Sequence, residues 1–234
     1  SKDGSFFVNV DTTTSEGIHR AKSLGLIESH MADYIVTQHL HPAATLFTKN
    51  QRGRMFAIFR HPIERAVSLF HYLSVADWEP TYDPKLAFIS LEMWAQSKRI
   101  EHNWMVRFLS NEIERDLMPR HLEVAKEVLR KKCLVGLLEK KGETFQRFQK
   151  YFGWEFPNKV SKECQERQLH WGWSNKHAHP IIEEGSPTWN LLFKKNQLDM
   201  ELYYYAKQLF KEQVALFNSI EKKITTDVVN TVPT

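Results

Sequence analysis

Residues 55–59, Met-Phe-Ala-Ile-Phe, form an unbroken apolar run, the pattern of a strand covered on both faces in a parallel sheet. The run stops at Arg60. Pro62 then stands where a first helical residue would, and Ile63, Ala66, Val67 and Phe70 follow at helical spacing. The segment reads as strand, tight turn and amphipathic helix, half of a βαβ unit. Further strands are predicted at residues 6–10, 33–36 and 134–138. Helices are predicted from Glu16 onward, after the polar cap of residues 11–15, and then near 90–110, 120–131, 144–151 and 189–222. Strands alternating with helices imply an α/β layered fold. Residues 155–188 are rich in Pro, Gly, His and Trp with little periodicity, and read as a long irregular, functional excursion. The pattern predicts one domain over residues 1–222 and a frayed tail at 223–234.

The strand-to-helix turn at Arg60 is the strongest candidate for chemistry. In open parallel sheets, ligands bind beyond the carboxyl ends of the strands, where helix N-termini present unpaired N–H groups. The planar guanidinium of Arg60 can grip a phosphate through two parallel hydrogen bonds. Ser68 lies about two turns into the helix, and helical side chains lean back toward the helix start, so its hydroxyl can reach the same anion. The competing reading is that Arg60 caps a surface carboxylate and Ser68 is only a small helix residue.

The run Phe59-Arg60-His61-Pro62-Ile63-Glu64-Arg65-Ala66-Val67-Ser68-Leu69-Phe70-His71-Tyr72 resembles the 3′-phosphate-binding motif of the sulfotransferase superfamily, Arg-x-Pro-x-x-Arg-x-x-Ser followed by aromatics. Upstream, Ile35-Val36-Thr37-Gln38-His39-Leu40-His41-Pro42 is similar to the strand-end segment that carries the family's catalytic His. Downstream, residues 134–139 with Phe145, Phe148 and Tyr151-Phe152-Gly153 look like its later strand and helix. Asn196-x-x-Asp199-x-x-Leu202-Tyr203 resembles the C-terminal helix of Golgi-type carbohydrate sulfotransferases. The resemblance spans residues 33 to about 212. It implies a three-layer, mostly parallel sheet flanked by helices, the P-loop NTPase-like sulfotransferase fold. It also implies a donor, 3′-phosphoadenosine 5′-phosphosulfate (PAPS), a product, 3′-phosphoadenosine 5′-phosphate (PAP), and a hydroxyl acceptor, with a glycan favoured. Arg60 and Ser68 would hold the 3′-phosphate. By the same analogy the location is the Golgi lumen, with the cytoplasm as alternative.

A neutral imidazole can take the acceptor proton at physiological pH, and the resemblance implies His39 as that base, 21 residues before Arg60; His41, two residues on, is its rival. The pair can instead bind a metal, although no third ligand stands at recognisable spacing, or simply hydrogen-bond loop carbonyls. One family element has no counterpart. The Gly-rich donor loop with its Lys is not found, and residues 11–17 offer two acids and no Lys. The chain opens at Ser1-Lys2-Asp3-Gly4 without Met, so upstream parts are expected, the donor loop among them, and any membrane anchor would also lie there. A noncatalytic nucleotide- or glycan-binding domain that has lost the loop is the alternative. A P-loop kinase is disfavoured, since no GxxxxGK[ST] occurs.

Composition adds limits rather than a function. A net charge of +4 with pI near 8.9 suits an anionic ligand but is too weak and dispersed for nucleic acid. No apolar run approaches the about 18 residues of a membrane span. Cys133 and Cys164 can form one disulfide or stay as two core thiols. Trp104, Met105, Phe108 and Leu109 read as core, with Arg107 a candidate for the acceptor cleft. Trp171, Trp173, His177 and His179 fall in the irregular excursion, where tryptophans stack on a sugar or pin the loop.

Overall fold

A computed structural model describes residues 8–79, 81–98, 100–156, 158–171 and 181–217. The strand–turn–helix unit forms as its pattern dictates: β1 covers Met55–Phe59 and α3 covers Pro62–Leu73, with Pro62 in the first turn and Ile63, Ala66, Val67 and Phe70 buried. Before them lie α1 (Ser15–Ser23) and α2 (Leu40–Ala44). Thr14 caps α1 by accepting from the Gly17 N–H at 3.0 Å, so the polar run before Glu16 is the predicted cap. After them come α4 (Leu91–Gln96), α5 (Trp104–Ser110), α6 (Pro119–Lys132), β2 (Cys133–Leu137), α7 (Lys141–Phe152), α8 (Lys159–Trp171), α9 (Pro187–Lys195) and α10 (Gln197–Glu212).

Strands β1 and β2 pair in parallel, from Met55 beside Cys133 to Phe59 beside Leu137. Among the described residues these two strands are the whole sheet. The result is a helix-rich α/β arrangement in which α5, α6 and α10 pack on the strand pair to bury Val106, Leu129, Val135, Leu202, Ala206 and Phe210. A second apolar cluster joins α3 and α4 to α9 and the start of α10 through Val67, Trp94, Leu192 and Met200.

Five expectations need correction. β1 is not covered on both faces: Ile58 is 40% exposed, whereas every residue of β2 is buried. Residues 33–36 form no strand. Two hydrogen bonds tie that region to the loop before α1 instead: Thr12 Oγ1 donates to the Val36 carbonyl at 3.0 Å, and Gln38 Nε2 donates to the Thr13 carbonyl at 3.2 Å. Residues 8–10 likewise carry no strand, and residues 6 and 7 lie outside the described residues. The stretch near 90–110 breaks into α4 and α5, and the excursion predicted at 155–188 contains the 13-residue α8. Within that excursion residues 172–180, and with them Trp173, His177 and His179, lie outside the described residues, as do the Trp171 side chain and the tail at 223–234.

Candidate functional site

Because Phe59 pairs with Leu137, the residues that follow the two strands share one edge of the pair. Arg60 and His61 stand on one side, Leu138 and Glu139 on the other. This is the carboxyl edge, where ligands of parallel sheets gather. Arg60 is partly buried, with Nε 3.8 Å from Oε2 of Glu64 one turn on. The Glu64 side chain is 66% exposed, so the contact with a surface carboxylate exists and is worth at most about 1 kcal/mol. Ser68 is half-buried on α3, and its hydroxyl has no partner among the described residues.

The two histidines lie against α5. His41 Nε2 is 2.9 Å from the Leu109 carbonyl, so this ring is held as a donor to backbone. His39 precedes α2, half-buried, with its ring edge-on to Phe108 at 5.4 Å and without a hydrogen-bond partner for the ring among the described residues. Phe108 in turn packs on Trp104 at 4.5 Å, and the Arg65 guanidinium lies 4.3 Å above Trp104. Arg65 also pairs with Glu101 at 2.7 Å. One aromatic ladder on α5 thus joins His39 to the helix that carries Ser68. Arg107, a candidate for the acceptor cleft, is spent elsewhere: Nη1 donates to the Ile113 carbonyl at 3.0 Å and the Arg115 carbonyl at 2.8 Å, fastening the loop after α5.

The start of α5 is anchored by α10. Asp199, 1% exposed, accepts from the Val106 N–H at 2.9 Å and the Met105 N–H at 3.0 Å. Asn103 Oδ1 accepts from the N–H groups of Leu198 and Asp199, and Asn196 Oδ1 accepts from the Asn103 N–H. Burial pushes the Asp199 carboxyl up to about 6 despite its two backbone donors.

A second ionisable group closes the carboxyl edge, and the sequence reading missed it. Glu139 accepts from the Tyr203 hydroxyl at 2.6 Å and from Lys207 Nζ at 3.1 Å. The Tyr203 ring meets His61 edge-on at 5.3 Å. The hydrogen bond from Tyr203, helped by Lys207, holds the Glu139 carboxyl below its ordinary range. Burial, helped by Lys207, lowers the His61 imidazole against the opposing pull of Glu64, Glu139 and Glu184, so the ring beside Arg60 is uncharged at neutral pH. The one local signal was that Tyr203 and Lys207 stand a turn apart on one helix; nothing near them in sequence announces Glu139.

Cys133 and Cys164 are both free; burial pushes the Cys133 thiol up to about 12, while Cys164 is exposed rather than in the core. No group of three His, Cys, Asp or Glu side chains suited to a metal occurs among the described residues. No described helix is long and apolar enough to cross a membrane. A cleft of about 820 Å³ between α7 and α8, lined by Gln146, Gln149, Trp154 and Glu166 among others, contains none of the candidate residues. What fold and site define is a class: an α/β protein with a cationic turn at the carboxyl edge of a parallel strand pair. No protein-family model, curated protein or solved structure matches the chain, so its function is read from these residues alone.

Proposed function

We propose that the chain is a sulfotransferase domain that moves a sulfuryl group from PAPS to a hydroxyl, with a carbohydrate as acceptor. The observation that carries the reading is the α5 ladder, which holds the His39 segment and the Arg60–Ser68 helix on one support. On this reading Arg60 and Ser68 bind the 3′-phosphate. His39, whose ring has no competing partner among the described residues, takes the acceptor proton as the hydroxyl oxygen attacks sulfur and the bond to the departing PAP breaks. His41, engaged with the Leu109 carbonyl, serves as a support. The strand pair would be the centre of a three-layer, mostly parallel sheet. A Golgi-lumen location and an upstream anchor belong to the same reading.

A specific observation favours the alternative, a noncatalytic nucleotide- or glycan-binding domain. The described N-terminal loop offers no cradle for a phosphosulfate: Asp11 and Glu16 are acidic, and Thr14 is used in capping α1. Gly17 is there for packing, since a Cβ would lie 1.7 Å from the Asp11 carbonyl oxygen.

Calorimetry with adenosine 3′,5′-bisphosphate and a sulfate-transfer assay test both. Arg60→Ala is expected to weaken the bisphosphate about ten- to a hundredfold, as loss of a charge-assisted pair requires. An unchanged dissociation constant refutes the Arg60 role. His39→Ala is expected to cut transfer about 10²- to 10⁴-fold while nucleotide binding persists. Transfer that survives removes His39 as base, and wild-type binding without any transfer selects the noncatalytic reading.

A further inference from the structure

His61 sits between Arg60 and Pro62 as the residue that opens α3, but its side chain makes no capping bond to the helix. Its Nδ1 is buried and has no hydrogen-bond partner. Packing therefore has to fix the ring, which meets Tyr203, 1% exposed and edge-on at 5.3 Å. Tyr203 is itself fixed at its far end. Its hydroxyl donates to Glu139, and Lys207, one turn along the same face of α10, holds the other carboxylate oxygen. Glu139 is the second residue beyond β2, whose last residue, Leu137, pairs with Phe59 at the end of β1. A hydrophobic residue at position 139 would leave the Tyr203 hydroxyl without this acceptor and Lys207 without its anion, so the carboxylate is what bolts α10 across both strand ends.

We propose that Glu139 is a positioning residue for the Arg60 anion pocket, acting through Tyr203 and His61 to hold the turn between β1 and α3. The inference rests on the anion-binding reading of Arg60. It assigns no contact between Glu139 and the ligand, and the Glu139 charge is matched by Lys207.

Two variants separate positioning from general stability. Tyr203→Phe keeps the ring and the net charge while removing the hydroxyl. The double variant Glu139→Ala with Lys207→Ala removes the bolt and keeps the charge balanced. Calorimetry with adenosine 3′,5′-bisphosphate is expected to show Kd raised about three- to tenfold in each, the scale of one lost buried hydrogen bond. Kd within twofold of wild type in both overturns the proposal. Histidine-ring ¹H–¹³C NMR, with the His61 signal assigned through His61→Gln, reads the turn without ligand. The His61 signal is expected to move in both variants while those of His39 and His41, seated on α5, stay in place. An unmoved His61 signal, or a shift of all three, overturns it. A wild type that binds no bisphosphate removes the anion reading, whereas the ring spectra still decide whether Glu139 sets the His61 turn.

Discussion

Asp199 shows how much one buried side chain can decide. Its two oxygens take the N–H groups of Met105 and Val106 in the first turn of α5, donors that would otherwise be buried without acceptors. Burial raises its pKa from 3.8 to about 6, so the folded protein holds the proton more tightly than the unfolded chain. The contribution to stability is full below pH 3.8 and is lost as pH rises through about 6, a change on the order of 3 kcal/mol. Urea unfolding between pH 4 and 7 is expected to show that decline, and Asp199→Asn, which cannot titrate, is expected to lose it. Asp199→Ala orphans two donors and is expected to cost about 2–5 kcal/mol across the range, measured by the same denaturation curves.

Among the elements, β2 and α7 are joined where the sequence gives least warning. Thr144 Oγ1 on α7 both donates to the Leu137 carbonyl and accepts from the Leu137 N–H, each at 2.9 Å, latching the helix to the end of the strand. Gly136 lets that helix lie close: a Cβ there would stand 2.4 Å from Thr144 Cγ2 and 2.8 Å from Phe148 Cζ. Gly136→Ala is therefore expected to destabilise by about 1–3 kcal/mol through overpacking, read as a lower urea midpoint with an unchanged slope. If α7 shifts outward without cost, the midpoint stays. The strand–turn–helix unit around Arg60 is the opposite case, since its strand run, its Pro62 and its helical apolar spacing all lie within 19 consecutive residues, Met55 to Leu73.

Across the whole molecule, stability is uneven. α10 buries Met200, Leu202, Tyr203, Ala206, Leu209 and Phe210, whereas no described side chain of α8 is buried. Amide exchange is expected to be fastest in α8 and slowest in α10 and β2, and comparable protection of α8 would show that it packs more firmly. The thiols report the same gradient. Ellman's reagent is expected to titrate one thiol, Cys164, in the native protein and a second, Cys133, only on unfolding, because burial keeps Cys133 from forming thiolate.

What the chain determined by itself was local. Apolar runs, proline positions and polar caps specified β1, β2, α1, α3, α6 and α7 to within a few residues, because each depends on neighbours in sequence. The strand-to-helix turn also marked Arg60 and Ser68, whereas His39 and His41 were marked only by the resemblance to sulfotransferases. What only the tertiary structure decided was which partner each polar group finds. Residues 33–36 have strand composition, yet they join no ladder, and the Val36 carbonyl instead accepts from Thr12, 24 residues away. His41 and Arg107 looked free for chemistry in the sequence and are bound to backbone carbonyls in the fold. Glu139 and Tyr203 are 64 residues apart and meet because two parallel strands end at the same edge under α10. Propensity acts along the chain over a few residues, whereas the pairing of buried donors, acceptors and charges is settled across it, once packing has brought distant segments together.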